Sequence, residues 1–468
     1  MTAVRTESTP VSYDIGTAGS GGVWFGLGTA RVAVLGFGLL VAVLALTADA
    51  SPLLAALPVL LAGALAGARI AGRPLLDWTA PVGTRAGSTA SGSTRWTTRL
   101  PSLPTARRGD GATVRLRLPA EFGLLSVSRC PDDPAVGMLT EAKTHTVTVV
   151  FDVCGLDRFP MLEAADQDTL IAGWGDALGV LADTDAAMGR LQLVERASPP
   201  LLDPYPGSGA VAEPDEWTSQ IAALTIGHDT RLAAQWSFPR LDPAALATIL
   251  SRCQLVSRTL LSARLLTRPL TVDELTDDLT SALTGSPTGG RGGVGPVSRR
   301  SEWTQVRLDD RVHRSYAVTG WPTSPVGAAW LSPLVLCAPA GVTRTVSLHL
   351  ERVAPAVAAR VARTRRAKAV LDQSDRARLG MTSSAALVGA EASGVAMDAE
   401  LAAGYRTHRL AGLVTLSADT VNALDDAGEV IRQAAATCRL ELRPLHGQHD
   451  TALAATAPLC RLRHRGQS

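Results

Sequence analysis

Two uncharged apolar runs, three residues apart, constrain this chain more than any other feature. Val32–Ala48 (VAVLGFGLLVAVLALTA) and Pro52–Ala68 (PLLAALPVLLAGALAGA) contain no charged residue, and only Asp49-Ala50-Ser51 separates them. Each is about 17 residues long, the short end of what crosses a hydrocarbon core of about 30 Å. Trp24, Phe25 and Ile70 flank the runs and lengthen them. So short a connection forces an antiparallel helical hairpin. A cleaved signal peptide fits poorly, because the second apolar run follows the first at once. A hairpin buried in a soluble core also fits poorly, since runs this free of charge are rare there. Pro58 is a kinking residue that membrane helices tolerate.

Basic residues set the expected orientation. Arg31 precedes the first run, and Arg69, Arg73, Arg85, Arg95 and Arg99 follow the second, whereas the turn carries only Asp49. The positive-inside rule places both ends of the hairpin, and nearly everything after Ala68, in the cytoplasm of a plasma-membrane protein. Six cysteines without a C-x-x-C pair agree with a reducing compartment. The net charge of +2 gives no global pull toward nucleic acid.

The remaining residues of this 468-residue chain are enough for about two folded units. Residues 1–30 read as a cytoplasmic tail, 31–70 as the transmembrane hairpin and 71–110 as a juxtamembrane linker. The linker reading rests on the Gly/Ser/Thr-rich Thr84–Thr98 and the Pro- and Arg-bearing Pro101–Asp110. A first α+β domain is expected over 111–285. Thr113–Leu118, His145–Val153, Arg190–Arg196 and Thr230–Phe238 read as strands, and Ala165–Leu181, Glu213–Leu224, Asp242–Leu266 and Thr271–Leu283 as helices. Asp242-Pro243 has the form of an N-cap followed by a first-turn proline. Pro199–Gly209 reads as a loop, and Ser286–Arg300 (SPTGGRGGVGPVSRR) as a linker. A second α+β domain is expected over 301–468. Its strands are Arg311–Thr319, Thr343–Val353, His408–Ser417 and Arg439–Leu442, and its helices Pro355–Val370, Thr420–Thr437 and Gly447–Thr456. Both domains share a β-α-β rhythm. The expected fold class is therefore α+β: a transmembrane helical hairpin followed by two ferredoxin-like or related units.

Few residues offer chemistry. The phosphate-cradling string G-x-x-x-x-G-K-[ST] is absent, and neither Lys143 nor Lys368 follows a glycine loop. Gly289–Gly295 is glycine-rich but lacks the Lys-Ser/Thr pair, so it reads as linker. His446 and His449 have an H-x-x-H spacing without further ligands, and surface histidines are expected. Asp132-Asp133 and Asp425-Asp426 read as solvated or capping acids. Gly173-Trp174-Gly175 suggests close packing of a helix against a neighbour. No catalytic, cofactor or metal residue is assigned. The basic run Arg360, Arg363, Arg365, Arg366 and Lys368 is different. Arg360, Arg363 and Arg366 share a helical face suited to docking an acidic partner, and nucleic acid is not expected there.

Several stretches add a family resemblance. The N-terminal hairpin resembles the PrgI-type small membrane subunit of type IV secretion and conjugation systems. Thr146–Val150, Ile171–Gly175 and Leu191–Ala197 resemble an actinobacterial family of conjugation membrane proteins. Arg314–Pro322, Thr343–Leu350, Gly404–Ser417 and Leu442–Leu459 resemble the amino-terminal, non-ATPase domain of TraC-type conjugation ATPases, closing here as Ala457-Pro458-Leu459. The resemblance implies a non-enzymatic membrane scaffold whose partners are a separate motor ATPase, other membrane subunits and the bilayer. ATP hydrolysis is not expected, because no nucleotide-binding domain follows before Ser468. The alternative expectation is the type VII secretion subunit that also carries two N-terminal spans.

Overall fold

The computed structural model describes residues 29–48, 51–70, 73–98, 113–156, 159–199, 227–284, 295–322, 324–378, 395, 399 and 407–462. These form two compact units. One holds described residues 94–354 and 407–462, and the other holds 29–93 and 355–378.

The smaller unit begins with α1 (Thr29–Thr47) and α2 (Pro52–Gly67). The two helices pack where Gly38 meets the Pro58 carbonyl and Ala62, so a side chain at Gly38 would collide with α2. Their outer surfaces are apolar and uncovered: Leu53 is 85% exposed, Leu60 70% and Phe37 68%. Among the described residues only α1 is long and apolar enough to cross a membrane by length and composition. The 16 residues of α2 rise about 24 Å, short of the full core. A two-residue pairing of β1 (Arg69–Ile70) with β2 (Arg73–Pro74) follows. Then comes α3 (Thr79–Ala90), where the expected linker lay. The Thr84, Ser88 and Thr89 hydroxyls donate to carbonyls three or four residues back within it. A further helix of this unit lies much later in the chain, at Pro355–Arg378.

The larger unit is built on one antiparallel sheet. Its strands are β3 (Arg95–Thr97), β4 (Val114–Arg115), β5 (Leu125–Arg129), β6 (Gly137–Glu141), β7 (Thr146–Gly155), β8 (Met188–Ser198), β9 (Gly227–Ser237), β10 (Leu265–Pro269), β11 (Ser298–Ser301), β12 (Val306–Leu308), β13 (Arg311–Gly320), β14 (Thr343–Arg352), β15 (His408–Ala418) and β16 (Glu441–Pro444). Its helices are α4 (Ala164–Thr184), α5 (Pro243–Ala247), α6 (Ile249–Ser262), α7 (Val272–Thr284), α8 (Ser332–Val335), α10 (Val421–Thr437) and α11 (His449–Thr456). The smaller unit's late helix, Pro355–Arg378, is α9. The strand order is β3-β11-β12-β13-β15-β14-β8-β9-β7-β6-β5-β4, with β10 added to β7 and β16 to β13.

One plan occurs twice in this sheet. With α5 and α9 set aside, the described elements β7-α4-β8-β9-α6-β10 and β13-α8-β14-β15-α10-β16 both run β-α-β-β-α-β. Numbering the four strands of each set gives the same lateral order, 4-1-3-2. Details repeat as well. Phe151 pairs with Pro269 as Tyr316 pairs with Pro444. Arg264 and Arg439, each between the second helix and the fourth strand, both have left-handed φ, 59° and 58°. The two sets meet where β8 pairs with β14, from Arg344↔Ala197 to Glu351↔Arg190. The stretches expected as separate domains, 111–285 and 301–468, are therefore parts of one sheet. The last three residues of the expected linker, 298–300, already belong to β11.

Alternation along the strands fills both faces. Val147, Val149 and Phe151 of β7 join Leu232, Ala234 and Trp236 of β9 under α4 and α6. Val150 and Ala233 point the other way, to Leu275, Leu279 and Leu283 of α7 and Leu453 of α11. In the second set, Val346, Val414 and Leu416 lie under α8 and α10. Local sequence fixes the helix starts. Asp242 Oδ1 accepts from Ala245 N at 2.8 Å, and Thr420 caps α10 in the same way. Thr271 and Glu274 form a reciprocal capping box at α7. The helix expected over Asp242–Leu266 is instead broken at Thr248 into α5 and α6 and ends at Ser262. Glu213–Leu224 and Pro101–Asp110 lie outside the described residues.

Candidate interaction surfaces

The seam between β8 and β14 is fastened by polar groups on both faces. On the α4/α8 face, Arg344 is fully buried and grips Glu195 with both terminal nitrogens, at 2.7 and 2.9 Å. The same guanidinium donates to the Val335 carbonyl of α8 at 2.7 Å. Glu195 also meets His228 Nδ1 at 2.7 Å. On the opposite face Gln192 is the centre. Its Nε2 donates toward Ser347 Oγ and the carbonyls of Ala455 and Ala457, and its Oε1 accepts from Cys460 N at 2.6 Å. Arg190 Nη1 adds a bond to the Cys460 carbonyl at 2.7 Å. The chain following α11 is thereby tied across the junction of the two halves.

Histidine and hydroxyl groups that resemble catalytic pairs lie in the same layer. His313 Nδ1 is 2.7 Å from Ser417 Oγ, and His349 Nε2 is 3.3 Å from Ser347 Oγ. Ser315, Thr415 and Thr456 form a hydroxyl chain beside them. All seven of these groups are buried, and Thr456 belongs to α11 itself. Burial, with the Arg311 charge adding to it, pushes His313 down to about 3. Burial, then the neighbouring His446 and Arg314, pushes His449 down to about 3. A nucleophile–base pair must be reached by substrate to act. Enclosed in this way, these groups supply hydrogen bonds that hold α11 on the sheet.

The H-x-x-H histidines differ from expectation. His449 is a buried residue whose Nδ1 accepts from Ser315 N at 3.1 Å. His446 stacks on Trp303, and its ring centroid lies 6.1 Å from that of His449. The described residues contain no group of three or more His, Cys, Asp or Glu that would hold a metal. Gly173 lies against Ala263 at the end of α6, as close packing of that motif requires, whereas Gly175 faces open space. Asp425 binds Arg314 at 2.6 Å, and Asp133 caps its own turn through Ala135 N.

Arg360, Arg363 and Arg366 are exposed on α9. Arg363 Nε donates to the Ala359 carbonyl one turn earlier, at 3.2 Å. Ala358 and Ala362 form the helix's buried side, and Val357, Val361, Val370 and Leu371 are exposed among the arginines. The structure thus keeps the three arginines on one accessible helix but places that helix in the unit that contains α1 and α2, not in the sheet unit. Sequence reading missed the Gln192 and Arg344 fasteners. A glutamine and an arginine inside alternating strands were the available signal. No protein-family model and no curated protein matches the chain.

Proposed function

We propose that the chain is a non-enzymatic membrane scaffold subunit of a bacterial conjugation or type IV-like secretion machine, holding a separate motor ATPase at the membrane. The observation that carries the anchoring part is the bare apolar surface of α1 and α2. Leucines this exposed are costly in water at about 25 cal/mol per Å² and at home in lipid. Both helices are read as spans, the shorter α2 being met by local thinning of the bilayer. Arg31, Arg69 and Arg73, flanking the hairpin's outer ends, support a reading with both ends in the cytoplasm.

The two 4-1-3-2 sets are read as paired ferredoxin-like units. That reading supports the resemblance to the non-ATPase domain of TraC-type ATPases. Because the buried His and Ser groups are enclosed, the outer surface of the sheet unit is what remains for a partner. The test is mild-detergent extraction from native membrane, capture on a tag and mass spectrometry. A motor ATPase and small membrane subunits should co-purify. Absence of any ATPase, or ATP hydrolysis by the chain alone that survives repurification, overturns the proposal.

A further inference from the structure

We infer that α9 is a lipid-surface helix that binds the anionic headgroups of the cytoplasmic leaflet. This rests on the reading of α1 and α2 as a membrane anchor. Three observations carry it. First, α9 is surplus to the sheet. Its neighbours β14 and β15 pair directly out to Arg352↔His408, and Val353 N bonds the Thr407 carbonyl, which closes the ladder. Two strands paired in this way need a loop of about two to five residues. Residues 354–406 are a much longer excursion from that point, and α9 is its first element.

Second, α9 belongs to the same compact unit as the two apolar helices. Third, its composition complements an anionic bilayer. The helix carries Arg360, Arg363, Arg365, Arg366, Lys368, Arg376 and Arg378 against only Asp372 and Asp375, a net charge of +5 from seven basic and two acidic residues. Basic residues near an anionic leaflet are attracted to it, and salt screens that attraction. Val357, Val361, Val370 and Leu371 are exposed between the charges. These apolar side chains are spread around the helix rather than gathered on one face, so the attraction is electrostatic, with long basic side chains reaching lipid phosphate.

The test uses the full chain reconstituted in vesicles of phosphatidylcholine, with or without about 30% phosphatidylglycerol. Flotation reports the anchor, and hydrogen–deuterium exchange of peptides from 355–378 reports the helix. In wild type, phosphatidylglycerol should slow exchange in α9 about fivefold or more at about 50 mM salt, and about 0.5 M salt should abolish the effect. The variant combining Arg360→Glu, Arg363→Glu and Arg366→Glu should float equally well, keep wild-type exchange in β7 and β13, and lose the lipid effect. Equal exchange of wild-type α9 in both vesicle types overturns the inference while leaving the anchor intact. Protection that appears only when an acidic protein partner is added to phosphatidylcholine vesicles also overturns it, and assigns the helix to that partner. Failure of the wild-type chain to float with either vesicle overturns the anchor, and the inference with it.

Discussion

Acid sensitivity should concentrate at two residues, His313 and His449. Each is held neutral by burial, with a folded pKa of about 3 against an ordinary 6.5. Between those values the unfolded chain binds more protons than the folded one, so stability falls as pH falls. The contribution of each histidine is complete above about pH 6.5 and is reduced by about 2 kcal/mol at pH 5. Denaturant unfolding of the detergent-solubilised chain, followed by tryptophan fluorescence, should show this loss between pH 7 and 5. His313→Asn should roughly halve the slope, and an unchanged slope would remove His313 from the account. Thiols give a second residue-scale outcome. Burial pushes Cys253 and Cys460 up to about 12, while Cys154 is exposed. Maleimide should label Cys154 in the native chain and reach Cys253 and Cys460 only on unfolding.

At the scale of elements, what was legible followed local pattern. β7, β13, β14 and β15 were readable because their apolar residues alternate, and α7 and α10 because apolar spacing and caps agree. The capping box Thr271-x-x-Glu274 is the clearest case. Thr271→Ala should cost about 1 kcal/mol, measured as a lower denaturation midpoint without a change in slope. The short strands β3, β11 and β12 were not legible. Each has three or four residues, several of them arginine, and pairs only because a neighbouring edge is open to it. α3 is helical where composition alone says linker, and its Thr84, Ser88 and Thr89 hydroxyls are satisfied by carbonyls of their own helix. The candidate docking arginines were legible as a helical face, but the unit that contains their helix is set by long-range contacts that spacing does not encode.

For the whole molecule, the question is whether the two repeated sets behave as one folded body. Each set has its own helices and its own apolar cluster, so either could in principle unfold alone. Against this stand the eight register pairs of the β8–β14 ladder, the Arg344–Glu195 grip on one face and Gln192 on the other. Gln192 decides the matter experimentally, because it touches both sets and the chain after α11 at once. Gln192→Leu keeps the volume but leaves the buried Cys460 N–H without its acceptor, while the Ala455 and Ala457 carbonyls keep His349 Nε2 and Leu459 N. An orphaned buried donor costs about 1–3 kcal/mol, so a loss of about 2 kcal/mol is expected. If the seam makes the sheet cooperative, native-state hydrogen exchange should lose the same free energy in β7, which is in the first set, and in β13, which is in the second. A loss confined to one of the two strands would mean that the sets open independently and that the seam is only an interface. Equal losses in both would make the sheet unit a single rigid platform, the mechanical property a scaffold needs if force from a partner bound on one half is to reach the other.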